Sequence, residues 1–200
     1  MVAINSRTAI FGGTFDPIHR GHLHLLSEVI QRNLFKKIIV IPSGKPQLKL
    51  SPPQADSKSR LAMVKLAITE LPIQVQEKIE VNTFELENNQ NSYAIDTVAH
   101  LKSVSTDAFT WILGSDAALN LPKWHRFSEL SQLVDFLVIL RPGSTFTPIS
   151  GANLTSLEID ALQLSSTEIR NTIFTGKEVT SAVPDLVLQY IKRNGLYASA

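Results

Sequence analysis

Two hundred residues, 44% of them apolar, suit one domain with a sizeable core. Nineteen Lys and Arg against eighteen Asp and Glu leave a net charge of +1, which argues against a general nucleic-acid surface. The absence of cysteine excludes disulfides, thiolate zinc sites, Fe–S clusters and a cysteine nucleophile.

In chain order, Ala3 to Phe11 reads as a first strand. A helix from about His19 to Asn33 follows, with Leu23, Leu26, Val29 and Ile30 on one face. Ile38 to Ile41 is a continuous apolar run, as in a strand buried on both faces. The loop Pro42 to Pro53 leads to a helix over Ser57 to Glu70. Ile79 to Leu86 is the expected third strand, residues 85–91 a polar turn, and Tyr93 to Val104 a helix. Phe109 to Leu113 and Phe136 to Leu140 are the fourth and fifth strands. Between them lie short helices at Ala117 to Leu121 and Phe127 to Leu133. Leu157 to Leu162 is a short last strand, SSTEIRNTI opens a helix, and Val183 to Asn194 is a closing helix with Gly195 as its C-cap. This alternation predicts an α/β fold, a doubly wound parallel sheet of Rossmann-like type. The mostly helical residues 151–200 are expected to pack on the same single domain, 1–200.

The stretch TAIFGGTFDPIHRGH, Thr8 to His22, organises the chain. An apolar run, two glycines and a helix start form the arrangement that open α/β sheets use to hold phosphate. Gly12 and Gly13 let the backbone approach a ligand. His19 and His22, three apart, are expected on one face of a first helical turn, where imidazoles donate to phosphate oxygens. The string is neither GxGxxG nor GxxxxGK[ST].

Other strand ends also supply polar groups. Lys49 or Lys45, in the loop after the second strand, could close on a polyphosphate as a point charge, or be an ordinary solvated lysine. Gly114, Ser115 and Asp116 end the fourth strand. Asp116 could accept ribose hydroxyls, organise metal-bound water, or cap the next helix. Arg141 ends the fifth strand. Ser165, Ser166, Thr167 and Arg170 make a second phosphate cradle at a helix start, and Ser165 with Glu168 also fits a capping box. Trp111, inside a strand, is expected in the core.

GGTFDPIHRGH resembles the GGTFDPxHxGH signature of the HxGH nucleotidylyltransferases, and its wording is similar to that of the bacterial nicotinate-nucleotide adenylyltransferases. The resemblance runs from Phe11 to Tyr197. SYAIDT resembles the family's SYTxDT, with Ala94 in place of Thr; SSTEIR resembles SSTxIR; and PSGKPQLK keeps Pro42, Pro46 and Lys49 of the family loop but not its His.

The resemblance implies adenylyl transfer from ATP to nicotinate mononucleotide, giving deamido-NAD and pyrophosphate. It implies His19, His22 and Arg170 as catalytic residues. Gly12, Gly13, Thr14, Phe15, Lys49, Gly114, Asp116, Ser166 and Thr167 would hold ATP. Ser92 and Tyr93 would bind the pyridine carboxylate through backbone N–H groups, Trp124 would stack on the ring, and Arg141 joins this substrate set. Mg²⁺ would arrive with ATP, since no protein metal cage is visible. The partners implied are ATP and the mononucleotide, not nucleic acid, with a homo-oligomer left open. With neither a signal peptide nor an apolar run of spanning length, the expectation is a cytoplasmic protein without a membrane partner. The alternatives are nicotinamide mononucleotide as acceptor, a sister transferase acting on phosphopantetheine or a cytidyl acceptor, and a non-catalytic nucleotide sensor.

Overall fold

The structure, a computed structural model, describes residues 6–46, 51–88, 91–145, 147–160 and 162–199. Its strands are β1 (Thr8–Gly13), β2 (Lys37–Pro42), β3 (Ile79–Val81), β4 (Phe109–Gly114), β5 (Asp135–Leu140) and β6 (Leu154–Glu158). They form one sheet of order β3-β2-β1-β4-β5-β6 in which every neighbouring pair is parallel. The helices are α1 (Arg20–Gln31), α2 (Ser57–Thr69), α3 (Ile73–Gln76), α4 (Phe84–Glu87), α5 (Ala94–Val104), α6 (Ser115–Leu119), α7 (Phe127–Leu133), α8 (Ser166–Phe174) and α9 (Asp185–Arg193). None among the described residues is long and apolar enough to cross a membrane.

Strand side chains alternate between two apolar layers, which is why the strands read as unbroken apolar runs. Ala9, Phe11, Ile38, Val40, Ile112, Leu137 and Ile139 face α1, α2, α8 and α9. Ile10, Ile39, Ile41, Trp111, Leu113, Phe136 and Val138 face α5, α6 and α7. Ile169, Val183, Val187, Ile191 and Tyr197 share the first layer with Leu26 and Met63, so the C-terminal helices pack on the core of the first βαβ unit. The strand order reverses direction between β1 and β4, and ligands of such sheets lie in the crevice beyond that switch point.

Several elements depart from the sequence expectation. β1 begins at Thr8 and includes both glycines. β3 stops at Val81 rather than Leu86, because the Asn82 side-chain oxygen accepts the Phe84 N–H at 3.0 Å and starts α4. The last strand is 154–158, not 157–162; it is an edge strand with Thr155 and Ser156 exposed, so its apolar signal is weak. The helix after β4 starts two residues early, at Ser115, with Gly114 as its cap; Asp116 is in the first turn and is not the cap. The closing helix starts at Asp185, after Pro184 in the N-cap position, and Gly195 ends it at φ +60° as expected.

Candidate active site

The glycine turn is built by contact. A Cβ on Gly12 would stand 2.9 Å from the Trp111 ring, and one on Gly13 would stand 2.7 Å from the Phe15 ring. Phe15 takes a left-handed φ of +50° and is buried, its ring edge-on to His22 at 5.2 Å. Arg60, buried at 2% exposure on α2, donates to the Thr14 carbonyl oxygen at 2.7 Å and fixes the turn from behind.

His19 is not on the helical turn. It is the N-cap residue of α1, with extended backbone, and His22 is three residues on. The His19 N–H donates to His22 Nδ1 at 3.2 Å, and the two rings stack with centroids 3.7 Å apart. With Nδ1 accepting, neutral His22 carries its proton on Nε2. Burial lowers the His19 pKa from 6.5 to about 4, so at neutral pH the stack does not hold two cations. The Nδ1 atom of His19 is buried with no partner among the described residues.

This shift has a consequence for stability. Above pH 6.5 His19 is neutral both folded and unfolded. Between 6.5 and about 4 only the unfolded chain takes up the proton, so stability falls with pH by up to about 3 kcal/mol and then levels off. Urea midpoints across this range are expected to fall less steeply in His19→Asn than in the parent protein.

Asp16 anchors the far side of the turn. Its carboxylate accepts the Gln54 N–H at 2.8 Å, the Ala55 N–H at 3.0 Å and the Tyr197 hydroxyl at 2.8 Å. Arg170 donates to the Asp16 carbonyl oxygen at 2.8 Å and lies 3.7 Å from the carboxylate. Ser166 donates to the Pro17 carbonyl oxygen at 3.0 Å. Ser165 occupies the N-cap of α8 without a side-chain hydrogen bond, so the expected capping box does not form; the neighbouring hydroxyl is tied to the glycine turn instead.

Beyond the turn, a cavity of about 420 Å³ opens over the ends of β1 and β2. Gly12, Gly13, Thr14, Ser92, Tyr93 and Trp124 all line it. Trp124 is half-buried and meets Trp111 edge-to-face at 5.6 Å. Trp111 is in the core as expected, yet it also forms part of the cavity wall. His125 stacks on Tyr93 at 4.2 Å, joining the start of α5 to the 3-10 turn Leu121–Lys123 and the loop after it.

Ser92 has internal partners. Its hydroxyl accepts the Gly44 and Lys45 N–H groups at 3.0 Å each, and its own N–H donates to the Lys45 carbonyl oxygen. Buried Glu85 accepts from Thr97 at 2.7 Å and from Ser92; burial pushes its carboxyl upward. The Ser92 N–H is therefore spent on the loop after β2. In the first turn of α5 the Asp96 and Thr97 amides donate to the Tyr93 carbonyl oxygen, so the amides of Tyr93, Ala94 and Ile95 are the candidates for an anion there.

The remaining candidates lie apart from this cavity. Gly114 and Asp116 sit exposed at the end of β4, and Arg141 is exposed just past β5. A Cβ on Gly114 would meet nothing within 4 Å, so no contact among the described residues demands glycine there. Thr167 is exposed on the first turn of α8 and accepts from Arg170 at 3.3 Å. Lys49 lies outside the described residues. Asp16, Arg60, Glu85 and Tyr197 support the site without having been picked out from sequence. Asp16 lies inside the signature string and Tyr197 ends the stretch of resemblance, while Arg60 shows helical spacing with Met63, Val64 and Ala67.

A parallel sheet that opens at its switch point onto a glycine turn, a stacked histidine pair and a helix with Arg170 one turn in defines a nucleotide-handling α/β protein. The cytidylyltransferase-like family matches residues 10–172. Nicotinate-nucleotide adenylyltransferase of Bacillus subtilis is 35% identical over 194 residues, covering 96% of this chain and 99% of that one. The probable nicotinate-nucleotide adenylyltransferase of Bacillus pumilus is 37% identical with the same coverage. The solved nicotinic acid mononucleotide adenylyltransferase of Plasmodium falciparum, complexed with NaAD, shares the fold at a TM-score of 0.80 and 22% identity, over 95% of this chain and 96% of that one. The chain belongs to the nicotinate-nucleotide adenylyltransferases of the cytidylyltransferase-like family.

Proposed function

We propose that the protein, as a single domain, transfers the adenylyl group of ATP to nicotinate mononucleotide, releasing pyrophosphate and forming deamido-NAD. The observation that carries this reading is continuity. The cavity lined by Tyr93, Ala94 and Trp124 reaches the glycine turn at Gly12–Thr14, and the histidine pair stands a few residues further along the chain, at the start of α1. A pyridine ring against Trp124 therefore has its phosphate end directed at the histidines.

The mononucleotide phosphate is already a nucleophilic anion, so the site needs no strong base. It attacks the α-phosphorus of ATP, and the α-phosphorus–oxygen bond to pyrophosphate breaks. The work of the chain is alignment and charge stabilisation. His22 donates from Nε2 to the α-phosphate as charge builds there, with His19 beside it. Thr14, Lys49, Ser166, Thr167 and Arg170 bind the phosphates, and the open approaches at Gly114 and Asp116 receive the nucleoside. Arg141 completes the set at the neighbouring strand end.

No cluster of three His, Asp or Glu that could hold a metal is found among the described residues, and the Asp16 carboxylate is occupied by its own donors. These residues fit an ion carried by the polyphosphate and water rather than by the protein. When bound, Mg²⁺ neutralises phosphate charge. With ATP as co-substrate, the compartment assigned is the cytoplasm.

Ala94 favours keeping a second acceptor in view. The hydroxyl of the family's Thr is absent on the very turn that offers the amides, which leaves nicotinamide mononucleotide as the rival. Pyrophosphate release with ATP and Mg²⁺ is measured with each mononucleotide in parallel. A strong preference for the acid is expected. A preference for the amide overturns the acceptor, and release with neither overturns the reading.

A further inference from the structure

Tyr197 is 9% exposed and takes a left-handed φ of +64°, a conformation that tyrosine rarely adopts without being held there. It follows the Gly195 turn that closes α9, where the Leu196 N–H donates to the Ile191 carbonyl oxygen at 3.1 Å. The turn delivers the phenol to Asp16, 181 residues away in sequence, at 2.8 Å. Burial and the neighbouring carboxylate push the phenol pKa upward, so it stays a donor across the working pH range.

The Asp16 carboxylate divides its two oxygens. One takes Tyr197 and the Ala55 amide; the other takes the Gln54 amide and faces Arg170. Residues 54 and 55 lie just ahead of α2, and Arg170 stands one turn into α8. The Arg170 guanidinium has little else to hold it. Among the described residues it is held, besides Asp16, by the Thr167 hydroxyl at 3.3 Å, and its Nε is buried without a partner. Without the phenol, one carboxylate oxygen keeps the Ala55 amide alone, and the carboxylate that faces Arg170 is held by two hydrogen bonds in place of three.

We infer that Tyr197 is a positioning residue for the transfer reaction, acting through Asp16 to aim Arg170 at the phosphates. This rests on the reading of Arg170 as a phosphate ligand. The test is steady-state pyrophosphate release by the full chain, Tyr197→Phe, Arg170→Lys and the double variant. Tyr197→Phe keeps the buried ring and is expected to lower kcat about 10-fold, with KM for ATP within about twofold. In the Arg170→Lys background the same change is expected to cost less than about twofold, because the group it aims is already gone. A Tyr197→Phe kcat within twofold of the parent, or losses that multiply in the double variant, overturns the inference. An undiminished rate in Arg170→Lys overturns the assignment of Arg170 itself. If Tyr197→Phe does not fold, Asp16→Asn takes its place with the same expected pattern.

Discussion

Replacing His22 with alanine is expected to slow pyrophosphate release about 10²- to 10³-fold, the cost of losing one aimed donor to the developing charge. His22 is the outward member of the ring stack; His19, beneath it, is buried and stays neutral to about pH 4. The fold is expected to survive, because His22 is half-buried on a helix whose core face is Leu23, Leu26, Val29 and Ile30. Alanine is also the better helix former there. What is lost includes the stack with His19, the edge contact with Phe15 and the acceptor for the His19 N–H. Rate and melting curve are measured together. A variant that folds and keeps the full rate overturns the mechanism, and a variant that fails to fold assigns His22 to the architecture instead.

Gly44→Ala is expected to be the most damaging single methyl in the structure. The added Cβ would lie 2.0 Å from the Glu85 carbonyl oxygen and 2.8 Å from the Ser92 hydroxyl. Neither neighbour is the free end of a flexible side chain. The Glu85 oxygen is backbone of α4, and the Ser92 hydroxyl is fixed by the Gly44 and Lys45 amides. Relief requires the loop after β2 to part from α4 and from Ser92 just ahead of α5. That costs about 3 kcal/mol or more, and it opens the wall of the cavity. Urea unfolding should show a large fall in midpoint, and KM for the mononucleotide should rise with it. A loss of less than about 1 kcal/mol would mean that the two segments part easily.

The two-layer core was legible because each layer writes its own period into the chain. α1 shows its buried face as Leu23, Leu26, Val29 and Ile30, and β2 and β5 show both faces at once as unbroken apolar runs. The stations of the site were legible as polar groups following strands. What the sequence hides is long-range pairing of charge. Arg60 looks like one more charged residue of a helix, and Glu85 like part of a polar turn, until their partners, the Thr14 carbonyl and the hydroxyls of Ser92 and Thr97, are brought beside them by the fold. The boundary at Asn82 and the missing capping box at Ser165 fail for a related reason. A side-chain oxygen has several backbone partners within reach, and the tertiary structure selects among them.

The gathering of donors at Asp16 also bears on how the protein folds. The carboxylate is almost wholly enclosed, and its partners come from residues 54–55, 170 and 197. In a partly folded chain where the last helices have not docked, the anion would be shut away from water with half its donors missing, a state costing several kcal/mol. Such half-assembled forms are penalised on the route to the native state. Unfolding is therefore expected to be all-or-none, the first βαβ unit coming apart together with the helices that complete its charge pairing.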